Sequence, residues 1–329
     1  MHMHTGACLV IYRLWHKRCG FAFVTVLLWG SGFPFTRVIG DQISSFNLGL
    51  IRCVFAAGIL LIIGAFTGMR KPFSIKDCGW FLISGATGYS VYFIFFNLGL
   101  ETLSSSEGSI ICATVPIMTS IAVYRLYKER INGIGWITIV TAFAGVVLLL
   151  FWNNIFGAGS EAFSIDIGIL WMFLCALVFA AYNVLNRMLT EKGYTAMEIA
   201  TWSAVFGAIE MLGFLPGTIY EVAAATAGAN MAAVYLGVFP SALAYYLWSK
   251  SISLTERTSE VTNYLFINPL IATIIALILL REVPDTGTFV GGIVIIISVI
   301  IFSLKGNPDS SSSLSPAASE LYSHIPSGK

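Results

Sequence analysis

The sequence predicts an all-α integral membrane protein in which ten transmembrane helices form two inverted five-helix repeats. Three observations lead to this prediction: the composition, the number of apolar segments and an internal repeat. Of the 329 residues, 57% are hydrophobic and only 11% are charged, whereas about one quarter of the residues in a soluble domain are charged. A chain with so few charges must bury most of its surface in lipid.

Ten apolar segments approach the roughly 20 residues that a helix needs to cross a bilayer. We predict the spans at residues 20–39, 46–66, 79–100, 107–125, 134–152, 166–188, 196–215, 230–249, 259–280 and 286–304. A basic leader, residues 1–19, precedes them. A tail, residues 305–329, follows them and is expected to be disordered because it is rich in serine and poor in apolar residues.

The distribution of Lys and Arg tests this number of spans and orients the chain. If the N-terminus is cytoplasmic, 15 of the 18 basic residues fall in cytoplasmic segments, and only Arg37, Arg52 and Arg281 remain toward the other side. Such a bias is typical of membrane proteins, whose cytoplasmic loops are rich in Lys and Arg. We therefore expect a multi-pass protein of the plasma membrane, of the bacterial inner-membrane type, with both termini in the cytoplasm.

The two halves of the chain carry matching motifs. Residues 102–129 and 255–282 each contain a polar entry, an apolar run with one proline and a closing basic–acidic pair. The offset is 153 residues from Pro116 to Pro269 and again from Glu129 to Glu282. Five spans per half is an odd number, so the second half must enter the membrane from the opposite side. We expect repeats at residues 20–152 and 166–304, joined by an outer loop at 153–165.

Several of these positions resemble the EamA family of the drug/metabolite transporter superfamily, over residues 20–304. They are the opening segment Leu28–Phe33 followed by Arg37, Arg52 in the second span, and the proline–glutamate pairs Pro116 with Glu129 and Pro269 with Glu282. The resemblance implies a secondary exporter or exchanger of small metabolites, often amino acids. Substrates differ within that family, and many of its members have Lys at the position of Arg37.

Aromatic and polar side chains lie on single faces of the predicted spans. In the third span, Tyr89 and Tyr92 are three residues apart, which places them on the same side of a helix. We predict a substrate cavity between the halves, lined by Trp29, Phe33, Tyr89, Tyr92, Tyr182, Asn183, Tyr245, Asn263 and Phe266. The alternative is that these faces only pack helices against each other.

Charged residues and prolines inside the spans are further candidates. Arg52 is a candidate for binding a substrate carboxylate, and Glu210 is a candidate for carrying a proton, because charges inside apolar spans are costly. Either residue could instead extend to the interface or pair structurally. No acidic pair occurs at midplane depth, so proton or sodium coupling stays open. Pro116 and Pro269 occupy matching positions and are candidates for gating; static kinks are the alternative.

The favoured function is secondary active transport of small metabolites such as amino acids by alternating access. A membrane-embedded enzyme would need a cluster of reactive side chains in the spans, but all four histidines lie in the tails and the cysteines are scattered. We therefore expect no catalytic residues, metal or cofactor, and no nucleic-acid partner. A receptor or structural membrane protein is a second alternative, although inverted repeats suit a two-sided transport cycle. The substrate, coupling ion and oligomeric state stay open.

Overall fold

A computed structural model describes residues 3–67, 69, 74–127, 132–156, 166–255 and 258–302. At some helical positions only the backbone is described, namely 3–19, 127, 146–147, 149–151, 153–156, 259–260, 263 and 299. Within these ranges the chain forms helices and connecting turns, without strands. The fold is therefore all-α, as predicted.

Fifteen α-helices occur in the described ranges. They are α1 (Met3–Ile39), α2 (Ser45–Thr67), α3 (Cys78–Gly85), α4 (Val91–Thr102), α5 (Ser105–Cys112), α6 (Val115–Tyr127), α7 (Gly133–Phe156), α8 (Ile167–Glu191), α9 (Ala196–Glu210), α10 (Leu215–Ala224), α11 (Ala227–Leu236), α12 (Ala244–Ser253), α13 (Thr258–Thr262), α14 (Asn268–Leu279) and α15 (Thr286–Ile301). Two π-helical turns, Ala86–Ser90 and Gly237–Leu243, continue α3 into α4 and α11 into α12. Short 3-10 turns lie at Gly40–Gln42, Ile75–Asp77, Leu212–Phe214 and Asn263–Ile267.

Six helical segments within the described ranges are long and apolar enough to cross a membrane. They are Gly20–Gln42, Ser45–Thr67, Ile75–Thr102, Ser105–Leu126, Ile167–Glu191 and Ala227–Ser253. A seventh span arises if Ala196–Glu210 and Leu212–Ala224, bent by 48°, count as one. Three shorter apolar helices, Gly133–Gly145, Tyr264–Leu279 and Thr286–Ser298, overlap the remaining predicted spans. The structure thus confirms several membrane-spanning helices, whereas the number ten stays a prediction.

The outer surface of these helices is apolar. Ile62, Val140, Leu270 and Ile278 are each at least 60% exposed. Such exposure of large apolar side chains would be unfavourable in water but suits contact with lipid chains.

Helices from the two halves of the chain pack against each other throughout the bundle. Helix α1 packs on α12 and α14, while α8 packs on α4 and α6. Helix α2 lies against α9, α5 against α14, and α7 against α15. The largest apolar core therefore lies between the halves, and it is rich in aromatic rings.

Small residues allow some of these helices to approach closely. A Cβ atom at Gly85 of α3 would lie 2.7 Å from the backbone nitrogen of Gly207 in α9 and 3.0 Å from the carbonyl oxygen of Ser203. Only glycine fits at this crossing. Beside it, the hydroxyls of Ser84 and Ser203 are 2.7 Å apart and hydrogen-bond across the same interface. The close contact fixes α3 against α9 just before the first π turn.

Prolines lie at helix breaks as well as inside helices. Pro116 follows the turn at residues 113–114 and lies in the first turn of α6, and Pro269 lies in the first turn of α14 after the 3-10 turn. A proline there loses no hydrogen bond, because the first N–H groups of a helix have no intrahelical acceptor. These two gating candidates therefore lie at helix starts, whereas Pro34 lies inside α1.

Side chains cap several helix starts. Ser104 and Glu107 form a capping box at the beginning of α5, and Thr195 and Glu198 form one at the beginning of α9. Each box satisfies backbone N–H groups that have no intrahelical acceptor. These polar entries therefore fix where the two helices begin in an otherwise apolar chain.

Candidate functional site

A small cavity lies at the centre of the bundle, between the two halves. Its volume is about 20 Å³, which is enough for about one water molecule. It is lined by Trp29, Gly32, Phe33, Arg52, Tyr92, Phe96, Cys112, Val115, Phe179, Pro240, Leu265 and Asn268. We call this space the central cavity.

Arg52 supplies the charge of the central cavity. Its side chain belongs to α2, and the residue is only 2% exposed. The Nε atom donates to Ser241 Oγ at 3.1 Å and Nη1 donates to Asn97 Oδ1 at 3.4 Å. The guanidinium also lies 3.9 Å from the ring centroid of Phe93, a distance at which a cation and an aromatic face attract each other.

No carboxylate within the described part of the chain forms an ion pair with Arg52. Burying a charge without a counter-charge costs several kcal/mol, which two neutral hydrogen bonds and an aromatic face offset only in part. The site therefore favours an anion that reaches the guanidinium from the cavity.

Trp29 forms the aromatic wall of the central cavity. Its indole Nε1 donates to the carbonyl oxygen of Pro240 at 2.9 Å, which fixes α1 to the π turn before α12. The ring centroid lies 5.2 Å from that of Phe179 and 5.3 Å from that of Tyr245. Rings from α1, α8 and α12 therefore meet at one side of the cavity.

Three of the predicted site tyrosines lie in a compact cluster next to the cavity rather than in its lining. Tyr89, Tyr182 and Tyr245 are almost completely buried. The centroid of the Tyr245 ring lies 4.3 Å from that of Tyr89 and 5.6 Å from that of Tyr182. The Tyr245 hydroxyl donates to the carbonyl oxygen of Gly88 in the first π turn. The cluster joins the first π turn, α8 and α12.

Asn183 is also buried behind the lining. Its Nδ2 donates to Thr119 Oγ1 at 3.2 Å, and its Oδ1 accepts from Trp248 Nε1 at 2.8 Å. Both the nitrogen and the oxygen of the Asn183 amide therefore have hydrogen-bond partners within the protein. Phe266 lies apart from the other predicted site residues, because it packs against a different apolar cluster that contains Ile110 and Ala113. The side chain of Asn263 lies outside the described residues.

The structure thus brings together Trp29, Phe33, Tyr92 and Arg52 around one space. Sequence reasoning missed Asn97 and Asn268, both of which are buried at or beside this space. Asn97 carried a usable signal, since an amide inside an apolar span needs a partner that lipid does not provide.

Glu210 lies at the end of α9, away from the central cavity lining. One carboxylate oxygen accepts from the Ser90 hydroxyl at the end of the first π turn. The other oxygen, Oε1, is buried and has no hydrogen-bond partner within the described residues. A protonated carboxyl group costs less than a carboxylate in such a place.

The α1–α2 connection lies at one end of the bundle, and we call this the outer end because the predicted orientation places it outside the cytoplasm. A larger polar space lies at the outer end. Its volume is about 520 Å³. The space, which we call the outer chamber, is lined by Thr36, Arg37, Gly40, Asp41, Ile43, Ser44, Ser45, Leu48, Asn97, Leu100 and Glu101. Asn97 therefore belongs to the outer chamber and contacts Arg52 of the central cavity.

Among the described residues, no group of three or more His, Cys, Asp or Glu side chains could hold a metal ion. The chemistry that this site offers is the binding of an anionic group by Arg52 inside an aromatic cavity, with hydroxyl and amide groups nearby.

One protein-family model matches the sequence of this chain twice, once in each half. The model of the EamA-like transporter family matches residues 17–151 and again residues 166–304. The chain belongs to the EamA-like transporter family. The resemblance expected from the opening motif and the repeated proline–glutamate pairs is thereby confirmed.

Relatives of this EamA-family chain are transporters by name. An uncharacterized transporter, YdfC of Bacillus subtilis, is 31% identical over 280 residues, which cover 85% of this chain and 89% of the relative. A probable terminal-alkyne amino-acid exporter of Streptantibioticus cattleyicolor is 27% identical over 283 residues, covering 86% of this chain and 92% of the relative. A solved crystal structure is similar with a TM-score of 0.61 and 18% identity, covering 88% of this chain and 98% of that chain. The family and the apolar helices together make this a multi-pass membrane protein.

Proposed function

We propose that this EamA-family protein is a secondary transporter that exports small carboxylate metabolites, amino acids among them, by alternating access. The observation that carries the proposal is the buried guanidinium of Arg52, which faces the central cavity without a carboxylate partner in the described part of the chain. A substrate carboxylate would supply the missing counter-charge through two parallel hydrogen bonds.

The lining of the central cavity supports a substrate with an apolar body. The rings of Trp29, Phe33, Tyr92 and Phe179 line the same cavity as the guanidinium. Aromatic faces bind apolar groups by contact area and leave orientation to a few polar groups. The relative named as an amino-acid exporter supports the same class of solute. With a volume of about 20 Å³, the cavity has to widen before an amino acid can enter.

The transport cycle that we propose uses ten spans in two inverted halves, with both termini in the cytoplasm. The contacts support this arrangement, since α1–α12 and α1–α14 have counterparts in α4–α8 and α6–α8. The π turns correspond as well, with Ala86 and Gly237 separated by 151 residues. Two matches of one family model to the two halves also support a duplication. Rocking of one half against the other would expose the central cavity to each side in turn.

The proposal also includes proton coupling, with Glu210 as the residue that gains and loses the proton. The unpartnered Oε1 atom and the contact with Ser90 support it, because gain and loss of a proton would change how α9 holds the first π turn. The same turn carries Gly88, whose carbonyl accepts from Tyr245 beside the cavity. A change at Glu210 would thus reach the cavity through one short helical turn.

Counterflow into proteoliposomes tests the transport proposal. Purified protein is reconstituted with an unlabelled amino acid inside, and uptake of the same labelled amino acid is measured for a panel of apolar amino acids. We expect accumulation with at least one member, and we expect Arg52→Ala to lower it at least tenfold. Arg125→Ala, which removes an exposed charge at the end of α6, is the matched control.

Two results would contradict the proposal. One is the lack of counterflow with every carboxylate in the panel. The other is an Arg52→Ala variant that reconstitutes normally and transports as fast as the wild type.

A further inference from the structure

A notch in the wall of the central cavity lies between Gly32 of α1 and Pro240 of the second π turn, Gly237–Leu243. Gly32 is buried and lines the cavity. Apart from the backbone of α1 itself, a Cβ atom at this position would meet one atom within 4 Å in the described part of the chain, the Cβ of Pro240 at 3.9 Å. That distance is an ordinary van der Waals contact. The space next to Gly32 is therefore open and belongs to the central cavity.

Two other buried glycines show what close packing requires. At Gly30, two positions earlier in α1, a Cβ atom would lie 2.6 Å from Ile271 Cγ2. At Gly237 it would lie 2.5 Å from Phe55 Cβ. An added side chain would displace the neighbours at both positions, so packing accounts for these glycines. It does not account for Gly32.

A glycine without a packing role makes α1 less stable. Glycine loses more backbone freedom on folding than alanine does, so alanine is the more stable residue inside a helix. An alanine methyl group at position 32 would also fit beside Pro240. The folded protein itself therefore does not use the space that glycine leaves, which points to a solute in the central cavity as its occupant.

The notch lies beside the guanidinium of Arg52. Pro240 precedes Ser241, whose hydroxyl accepts from Arg52 Nε at 3.1 Å. Trp29 Nε1 donates to the carbonyl oxygen of Pro240 at 2.9 Å, which holds α1 to the second π turn one helical turn before Gly32. A carboxylate bound to Arg52 would therefore have its nearest carbon atoms, the α- and β-carbons of an amino acid, within reach of the notch.

The notch suits an apolar part of the substrate. The backbone of Gly32 and the ring carbon atoms of Pro240 form its walls, and the rings of Trp29 and Phe33 line the same cavity. An ammonium group would lose its hydration there without gaining a hydrogen bond, which is unfavourable. A methyl group on the β-carbon of the substrate has the chemistry that fits this space.

We propose that Gly32 makes room for branching next to the substrate carboxylate, so that the transporter takes amino acids branched at the β-carbon as readily as unbranched ones. The carboxylate lies on Arg52, and the branch lies in the notch between Gly32 and Pro240. A side chain at position 32 would fill the notch and leave room for a straight chain only. The proposal rests on the proposed function, since it takes Arg52 as the carboxylate site, and it names the residue that sets the shape of the substrate.

Three isomeric amino acids test the notch, because they differ only in where the side chain branches. L-norleucine is unbranched, L-leucine branches at the γ-carbon and L-isoleucine branches at the β-carbon. Binding is measured as thermal stabilisation of the full-length protein in detergent. For the wild type, we expect the three affinities to agree within about threefold. For Gly32→Ala, we expect isoleucine to bind roughly tenfold more weakly, since one methyl group in a closed pocket has an effect of this size. Norleucine should bind as it does to the wild type.

The substitution itself is safe for folding. The added Cβ atom would contact Pro240 at an ordinary distance, so we expect the melting temperature of ligand-free Gly32→Ala to equal or exceed that of the wild type. Gly58→Ala is the matched control in α2, because Gly58 is exposed and a Cβ atom there meets nothing within 4 Å. It should keep the wild-type affinities for all three isomers.

Each outcome decides between the two proposals. If Gly32→Ala weakens binding of the three isomers equally or leaves all three unchanged, or if the wild type already rejects isoleucine, the role of Gly32 is wrong. The proposed function then still stands when Arg52→Ala abolishes binding of norleucine. If none of the three isomers stabilises the wild type, or if Arg52→Ala binds them all unchanged, the carboxylate site falls and the role of Gly32 falls with it.

Discussion

The Arg37 side chain ties α1 to the α14–α15 connection through Glu282. Arg37 Nε lies 3.0 Å from Glu282 Oε1, and Glu282 Oε2 accepts from the backbone N–H of Ser105 at 3.0 Å. Arg37 Nη1 also donates to the carbonyl oxygen of Leu100 at 3.1 Å. One ion pair thus joins α1, α4, α5 and the second half of the chain at the outer end. If the outer end opens during transport, this junction has to break.

The first prediction is that Glu282→Gln makes the outer end open more often. The neutral side chain removes the ion pair with Arg37 and weakens the cap on Ser105. Labelling of a Leu100→Cys variant by a membrane-impermeant maleimide measures the opening, because Leu100 is 3% exposed and lines the outer chamber. We expect labelling to become several-fold faster when Glu282→Gln is added.

The control for this experiment is Asp166→Asn. Asp166 accepts from the Thr102 hydroxyl and from the first turn of α8, but it is not part of the ion pair with α1. Equal acceleration by Asp166→Asn and Glu282→Gln would show that the effect is general loosening. Unchanged labelling in Glu282→Gln would contradict the role of the Arg37–Glu282 pair as a closure.

The second prediction concerns the contact between α3 and α9. Gly85→Ala would place a Cβ atom 2.7 Å from the backbone nitrogen of Gly207, so the helices would have to move apart. Overpacking of this kind costs about 1–3 kcal/mol, and we expect a melting temperature several degrees lower. Gly79→Ala is the matched control in the same helix, because a Cβ atom there meets nothing within 4 Å. Equal melting temperatures for the two variants would contradict the prediction.

The third prediction tests proton coupling. Glu210→Gln keeps an oxygen that can accept from Ser90 but cannot release a proton. We expect counterflow without a pH gradient to remain close to that of the wild type, and we expect the stimulation of transport by a pH gradient to disappear. Glu191→Gln should keep the stimulation. If Glu210→Gln still responds fully to the gradient, Glu210 is not the proton carrier.

The sequence was sufficient to predict the membrane class and the family, because hydropathy and motifs depend on residues close together in the chain. It was less informative about which rings reach the cavity. Tyr89 and Tyr92 share a face of an ideal helix, yet Tyr92 lines the cavity while Tyr89 packs against Tyr245. The π turn at residues 86–90 changes the direction of Tyr89, and no local pattern in the sequence indicates such a turn.

Asn97 shows the other reason why the site was only partly predictable. Helical spacing identified the face that carries Tyr89 and Tyr92, and Asn97, five residues after Tyr92, was left out. Its importance depends on Arg52 and Ser45, which are 45 and 52 residues away in the chain. Pairings over such distances follow from how α2 packs on α4, and a single sequence does not contain that information.

The last prediction concerns how Arg52 is held. Arg52→Lys keeps the positive charge but loses the planar group that donates to both Ser241 and Asn97. A lysine ammonium group also cannot bind a carboxylate through two parallel hydrogen bonds. We expect the apparent Km for a transported amino acid to rise at least tenfold, with normal expression.

Ser241→Ala separates positioning of Arg52 from its charge. The variant removes the hydroxyl that accepts from Nε at 3.1 Å and leaves the guanidinium in place. A hydrogen bond to a charged group contributes about 1.5–3 kcal/mol, and the nearby Phe93 ring retains part of the orientation. We therefore expect a Km that rises several-fold, less than in Arg52→Lys, with little change in the maximal rate. A Km in Ser241→Ala as high as in Arg52→Lys would mean that the hydroxyl contacts the substrate itself, and unchanged kinetics in both variants would show that Arg52 does not bind the carboxylate.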